Sequence, residues 1–329
     1  MANEGHLSPV YDLHVLLDPP FISYAQNRED VVLWRALGHV SDGRYLEVGA
    51  NHPRVDSVSR AFYDRGWSGI TVEPMHEFAE AHRAERPRDT MVEAVITDQD
   101  SDMVVLHEIA ATGLSSIVDS VGAQHRAAGS PVIDKPVRAL RLSEVVEHHA
   151  IPGQDVHFML VDTEGSEPQV LASVDLHKFR PWVLVIESTS PNSTLQTHES
   201  WEPAVLAAGY RLCLFDGLSR FYVADEHAET LQAKLAYPAC VHDSFIEANL
   251  EARVYAVWEG RQELLTEVRR WRAEALTLWA GASSKASDDL QRVKGELAAA
   301  RDELAAVRAT VSWRVTRPIR AVRRRMRRT

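Results

Sequence analysis

Arg44-Tyr45-Leu46-Glu47-Val48-Gly49-Ala50-Asn51-His52-Pro53 is followed some twenty residues later by Gly69-Ile70-Thr71-Val72-Glu73-Pro74. Each segment is a short apolar run that ends in an acid, and the first breaks at once into a glycine turn. In an open α/β sheet, ligands bind outside the carboxyl ends of the strands, where the strand order reverses. An acid about twenty residues past the first glycine turn is placed to accept hydrogen bonds from two ribose hydroxyls. The pair therefore predicts a site for a nucleoside cofactor. A dinucleotide loop needs three glycines so that the backbone can approach a pyrophosphate. Here Gly49 stands alone, and Asn51, His52 and Pro53 fill the loop. Proline also removes an N–H where a phosphate needs a donor. A ligand with a ribose and no phosphate fits better, and S-adenosylmethionine is the common one.

Working outward, residues 156–163 (VHFMLVDT) form another buried-type strand ending in Asp162, with Glu164-Gly165-x-Glu167 opening a helix. Residues 181–188 (PWVLVIES) repeat the pattern and end in Glu187. Tyr210–Phe215 and 221–224 read as two strands around Asp216-Gly217, a pair suited to closing the sheet at one edge. Glu47, Glu73, Asp162 and Glu187 would then lie along one rim. Like charges converging on a cleft destabilise it, which marks the rim as functional. The predicted fold class is α/β: a Rossmann-like, doubly wound sheet followed by a helical C-terminal extension.

Taken together these residues resemble the FkbM-type methyltransferases. The resemblance rests on Ser23-Tyr24-Ala25-Gln26 with Glu29-Asp30, on residues 47–53, and on Tyr63, Gly66-Trp67 and Gly69-Ile70 leading to Val72-Glu73-Pro74. It continues through Asp162-x-Glu164-Gly165-x-Glu167 and Asp216-Gly217-Leu218-Ser219-Arg220-Phe221-Tyr222, covering roughly residues 21–250. It implies a methyltransferase sheet that uses S-adenosylmethionine to methylate an oxygen, commonly a sugar or polyketide hydroxyl. One departure is Ser219, where the nearest subgroup carries Asn; it bears on the acceptor more than on the chemistry. The resemblance also implies that the loops carrying Ser115 and residues 216–222 face the acceptor, which makes Ser115, Asp216, Arg220 and Tyr222 the expected substrate contacts.

Methyl transfer to a hydroxyl is an in-line displacement that needs a positioned acceptor and somewhere for its proton to go. Gly49 is expected to permit the cofactor's approach, Glu47 and Asn51 to hold its methionyl end, and Glu73 its ribose. Gln26 and Glu29 either line the same pocket or cap and pair at the surface. Three residues compete as general base. They are Asp162 at the switch-point strand, His52 after the glycine loop, and Glu187 on the next strand. Alternatively Asp162 and Glu187 jointly hold a divalent metal such as Mg, although no third protein ligand is evident. A lone histidine is more often structural. Glu164 and Glu167 flank a helix start, where acids also stabilise the dipole.

The 329 residues are 45% hydrophobic, enough for a large domain plus an appendage. Cys213 and Cys240 sit in no metal or redox spacing, which indicates a reducing compartment. No secretory signal and no run of about 18 apolar residues is evident, so the expected location is cytoplasmic. Net charge is −11, but residues 311–329 carry eight arginines and no acid, which leaves −19 on residues 1–310. So acidic a body argues against nucleic acid as substrate.

The expected organisation is a lead-in at 1–20, a methyltransferase domain at 21–245 and a helical extension at 246–282. A linker at 283–287, a short coiled coil at 288–312 and a basic amphipathic tail at 313–329 follow. Within the domain, residues 110–131 read as an insertion that could cover the cofactor. Leu290, Val293, Leu297, Ala300, Leu304, Val307 and Val311 alternate at spacings of three and four, a narrow seam that predicts homo-oligomerisation through 288–312. The arginine tail predicts peripheral contact with an anionic membrane. Two functional readings follow. The first is an O-methyltransferase acting on a sugar hydroxyl of a surface glycan, glycolipid or secondary metabolite. The second is a non-catalytic scaffold that oligomerises and tethers to membrane on a methyltransferase fold.

Overall fold

The computed structural model describes residues 21–109, 114–150, 153–191, 193–248, 250–316 and 320. The 1–20 lead-in, residues 110–113 of the expected cover and nearly all of the tail beyond Thr316 lie outside the described residues. In chain order the first elements are β1 (Phe21–Ser23), α1 (Glu29–Leu37), β2 (Arg44–Val48), α2 (Arg60–Tyr63), β3 (Ser68–Val72), α3 (His76–Glu85) and β4 (Thr90–Val92). An inserted group follows: β5 (Val95–Ile96), β6 (Met103–Ile109), α4 (Asp119–Ala127) and β7 (Val132–Leu140). The fold resumes with α5 (Leu142–His149), β8 (Phe158–Val161), α6 (Glu167–Ala172), β9 (Val183–Glu187), α7 (Glu202–Ala207), β10 (Tyr210–Phe215) and β11 (Ser219–Ala224). It ends with α8 (Ala228–Leu235), β12 (Phe245–Glu247), α9 (Leu250–Ala309) and α10 (Val311–Val315).

The main sheet has the order β10-β11-β9-β8-β2-β3-β4. Strands β4, β3, β2, β8 and β9 are mutually parallel, and β11 runs antiparallel to both β9 and β10. The order reverses between β2 and β8, because the chain leaves β2 toward β3 on one side and returns later to β8 on the other. Register then fixes the rim. Val48 lies opposite Val72 and Val161, and Val161 opposite Ile186, so Gly49, Glu73, Asp162 and Glu187 all emerge at one level. Ser219 joins them from β11, paired with Glu187.

Both faces of the sheet are covered, as the near-continuous apolar strands require. The pleat sends alternate residues to opposite faces. Leu46, Val48, Val72, Met159, Val161, Leu184 and Ile186 fill one core. Tyr45, Phe62, Trp67, Phe158, Leu160, Val183 and Val185 fill the other. Phe62 packs on Phe158 and Trp67 at centroid distances of 4.8 and 4.9 Å. The expected cover at 110–131 is partly regular: α4 bridges the antiparallel pair β6–β7, to which β5 adds a third strand. Strand β12 pairs with β1, Phe245 opposite Phe21, so the segment at the predicted domain end is held to its beginning.

The chain divides into two units, residues 1–251 and 252–329. In the second, α9 runs unbroken through 283–287, where the sequence predicts a linker. Ser283, Ser284 and Ser287 each lower helix propensity by roughly 0.5 kcal/mol relative to alanine, but a helix already nucleated on both sides propagates across such a stretch.

Candidate active site

The loop after β2 is shaped by a close approach. Gly49 has φ +83°, and a Cβ there would lie 1.7 Å from the Asp162 carbonyl oxygen, so no larger residue fits between the ends of β2 and β8. The N–H groups of Gly49 and Ala50 both donate to the Val72 carbonyl at 3.0 Å, folding the loop back over β3. Asn51 is left-handed (φ 47°), and its N–H donates to Glu73 Oε2 at 2.9 Å. Glu73 Oε1 accepts from the Met75 N–H at 2.8 Å. The Glu73 carboxyl is only 5% exposed, and burial pushes it up to about 7 against these two hydrogen bonds. From α3, buried His82 Nε2 meets the Asn51 carbonyl at 3.0 Å, and burial pushes the ring down to about 4, so it is a neutral donor that fixes the loop.

These groups border a cleft at the carboxyl ends of β2, β3 and β8. Gly49, Asn51, Glu73, Asp162, Thr163 and Glu164 line its polar side, and Met75, Phe78, Ile96, Leu106 and Ile117 its apolar side. A nucleoside methyl donor suits this lining. Each Glu73 oxygen accepts one backbone N–H and keeps a lone pair for a ribose hydroxyl. The apolar wall offers a flat base a dry surface, and no residue larger than glycine obstructs the loop at position 49. Ser115 and Ser116 also line this cleft. The Ser115 hydroxyl accepts from the Ile109 N–H at 3.2 Å, and Ser116 Oγ donates to the Glu164 carbonyl at 2.8 Å. Ser115, expected against the acceptor, therefore lines the same cleft as Gly49 and Glu73.

Beside the cleft, Asp162, Glu164 and Glu187 converge, each offering an oxygen within 4.8 Å of the others. Glu164 is left-handed (φ 53°) ahead of Gly165 (φ 98°), a turn that swings its carboxylate back toward Asp162. Among the described residues no Lys or Arg pairs with any of the three, and Glu164 Oε2 and Glu187 Oε2 are buried without a hydrogen-bond partner. Burial first, then the charges of Asp162, Glu164 and Glu167, raises Glu187 far above the carboxylate range. Burial followed by the Asp162 charge raises Glu164 likewise. Three hard oxygen donors with unmet lone pairs are of the type a divalent cation takes, and Glu164 stands where a third protein ligand would be needed. Glu167 plays another part: its Oε1 accepts from the N–H groups of Thr163 and Gly165 and from Thr163 Oγ1 at 3.0–3.1 Å, which shapes the turn.

Several expected site residues lie elsewhere. Glu47 shares a face of β2 with Tyr45 and turns from the cleft; Ser59 Oγ donates to it, and Arg86 stands at 4.0 Å within a buried network with Tyr45 and Asp89. It braces α2 and α3 against the sheet, outside the cleft lining. His52 lies outside the cleft lining, and its Nδ1 accepts from the N–H groups of Arg54 and Val55 at 3.1 Å, a structural cap. Gln26 is exposed, outside the cleft, in the turn before α1. Glu29 is buried and pushed up to about 8 by burial and then by the nearby Asp216 charge. Asp216 builds the β10–β11 turn, its Oδ1 accepting from the N–H groups of Leu218 and Ser219 at 2.9 and 2.8 Å. Arg220 donates to Glu202 and Gln196 at 3.2 and 2.6 Å, and the Tyr222 hydroxyl donates to Glu202 at 2.8 Å. Both side chains fasten α7 to β11, while Arg220 Nε is buried without a hydrogen-bond partner. Sequence reasoning missed His82, which carries no local signal, and the liganding capacity of Glu164, for which the Asp-x-Glu-Gly turn is the available sign.

Residues 47–212, half of the chain, match the methyltransferase FkbM domain. Among solved structures, a TehB-like SAM-dependent methyltransferase from Corynebacterium glutamicum aligns at 10% identity and TM-score 0.34, over 64% of this chain and 92% of its own. The glycopeptide N-methyltransferase MtfA aligns at 10% identity and TM-score 0.32, over 67% of this chain and 100% of its own. CalO1, a methyltransferase in calicheamicin biosynthesis, aligns at 12% identity and TM-score 0.30, over 60% and 53%. No curated protein matches the chain. With the reversal between β2 and β8, the glycine-gated loop and the buried Glu73 in place, the family match settles the kinship: this chain belongs to the FkbM methyltransferase domain family.

Proposed function

We propose that the protein is an S-adenosylmethionine-dependent O-methyltransferase acting on a sugar hydroxyl of a surface glycan, glycolipid or secondary metabolite. The observation that carries this reading is the carboxylate trio Asp162, Glu164 and Glu187 at the switch point, two of its members lining the cleft. A hydroxyl is a weak nucleophile and must shed a proton during transfer, whereas a neutral amine attacks with its own lone pair. In the transfer, the acceptor oxygen forms a bond to the methyl carbon and the carbon–sulfur bond breaks with its electron pair moving to sulfur. The proton passes to the Asp162 carboxylate. Glu73 would hold the ribose, and Gly49 and Asn51 would border the methionyl end. A divalent cation, which Asp162, Glu164 and Glu187 would hold, supplies Lewis-acid polarisation of the hydroxyl. Orientation in the cleft contributes roughly 7–11 kcal/mol of barrier lowering in ideal cases, and a positioned base about 10²–10⁴-fold in rate.

We also place the protein at the cytoplasmic face of a membrane. Among the described residues no helix is long and apolar enough to cross a bilayer. The eight arginines of 313–329 suit peripheral contact with an anionic surface.

The test is calorimetric titration with S-adenosylmethionine beside Glu73→Ala, with NAD as control, followed by turnover on hexose and deoxyhexose acceptors in MgCl₂ or EDTA. Micromolar binding lost in Glu73→Ala, with an O-methylated product dependent on Mg²⁺, is expected. Transfer to an amine alone overturns the O-methyl reading. Absence of binding by the folded protein leaves the scaffold reading.

A further inference from the structure

The last third of α9 and the start of α10 carry a pattern that the proposed chemistry does not use. With Leu290, Leu297, Leu304 and Val311 at heptad position a, position d is Val293, Ala300 and Val307. The large apolar members of this seam are all exposed in the single chain, Leu297 at 51% and Val311 at 77%. The flanks are sorted by sign. Position g holds Asp289, Glu296 and Glu303, all acidic, and position e holds Lys294, Arg301 and Arg308, all basic. Along the helix itself only Asp289 and Glu296 find a partner, in Arg292 at position c. Lys294, Arg301, Glu303 and Arg308 form no ion pair among the described residues.

We infer that residues 289–311 bind the same segment of further copies of this chain, parallel and in register. In a parallel coil, g of one helix meets e of the next heptad on its neighbour. That places Asp289 against Lys294, Glu296 against Arg301 and Glu303 against Arg308, opposite charges at every step. An antiparallel pair sets g against g and e against e, so each contact becomes acid on acid or base on base. A slip of one heptad keeps the signs but strands the Leu290 or Val311 layer. The strict seven-residue repeat from Leu290 to Val311 selects a left-handed supercoil. The occupant is fixed by this self-complementarity, since a helix with both flanks of one sign would instead need a different partner. Parallel association gathers the C-terminal ends of the seam, and with them the eight arginines that follow in each copy.

Sedimentation equilibrium of the full chain in low salt is expected to give a multiple of the chain mass. Asp289→Lys/Glu296→Lys/Glu303→Lys makes both flanks basic, and Lys294→Glu/Arg301→Glu/Arg308→Glu makes both acidic. Each variant alone is expected to weaken association at least tenfold, and mixing the two to restore it, with helix content by circular dichroism unchanged throughout. Direction is read in a Cys213→Ser/Cys240→Ser background carrying Val293→Cys or Val307→Cys. Each variant alone is expected to cross-link under mild oxidation. A monomeric chain, association indifferent to the charge reversals, or cross-linking only when the 293 and 307 variants are mixed would each overturn the inference.

Discussion

At Glu73 and Glu29 burial raises the carboxyl to about 7 and about 8, and at Asp30 to about 6. In all three the folded value lies above the unfolded one. The native state keeps protons that the unfolded chain has already released, so the stabilisation is complete below about pH 4 and is lost as pH rises through 6 to 8. Glu226, held down to about 2 by its pairing with Arg180, is ionised in both states across this window, and His82, pushed down to about 4 by burial, opposes the trend only in its acid part, below the ordinary histidine value. The melting temperature of the unliganded protein is therefore expected to fall between pH 5 and 8.5, and Glu29→Gln to flatten that fall. Glu29 lies beside Asp216 and Asp30, and its share is on the order of a few kcal/mol. Differential scanning calorimetry across that range checks it; a melting temperature rising with pH would show the carboxyl to be solvated. The same scale explains which of the expected residues line the cleft. Gly49, Asn51, Glu73 and Asp162 do so; they follow the last strand residue, where the pleat no longer dictates direction. Glu47 sits inside β2, two residues from Tyr45, and the period of two sends it to the opposite face.

Between α7 and β11, Glu202 accepts from both Arg220 and Tyr222, and Gln196 takes a second Arg220 bond. This clamp fixes β11, the strand that runs antiparallel to both its neighbours, beside the Ser219–Glu187 pairing at the rim. A hydrogen bond to a charged acceptor contributes about 1.5–3 kcal/mol. Tyr222→Phe is thus expected to lower unfolding stability by about that amount in denaturant titration, while the acceptor's KM stays within twofold. A large rise in KM with unchanged stability would restore Tyr222 to the acceptor site. Strand ends were readable because each buried run stops at an acid and a turn. The inserted β6–α4–β7 group was not, since β7 is largely exposed and Pro136 interrupts its propensity. The 283–287 linker failed for a different reason: local composition cannot stop a helix propagating from both sides. The partners of Arg220 and Tyr222 were hidden because Glu202 lies on a helix that only the folded sheet brings near.

For the molecule as a whole the decisive asymmetry is charge: −19 on residues 1–310 against eight arginines beyond them. An acidic body is repelled by an anionic bilayer, so attraction must come from the tail. Each basic residue near such a surface contributes about 1 kcal/mol, decaying over a Debye length of about 8 Å at physiological salt. Copies joined in parallel present their tails together, and the attraction multiplies with the number engaged at once. Flotation with vesicles containing about 30% anionic lipid checks this. Full-length protein is expected to float at 50 mM salt and to be released at 0.5 M, and to ignore zwitterionic vesicles. A chain ending at residue 312 is expected to lose binding altogether. Leu297→Ser/Leu304→Ser leaves the charge unchanged while breaking the seam, and is expected to weaken vesicle binding at least tenfold. Retained binding in that variant would mean that a single tail suffices, and that the association of copies serves the enzyme in some way other than holding it at the membrane.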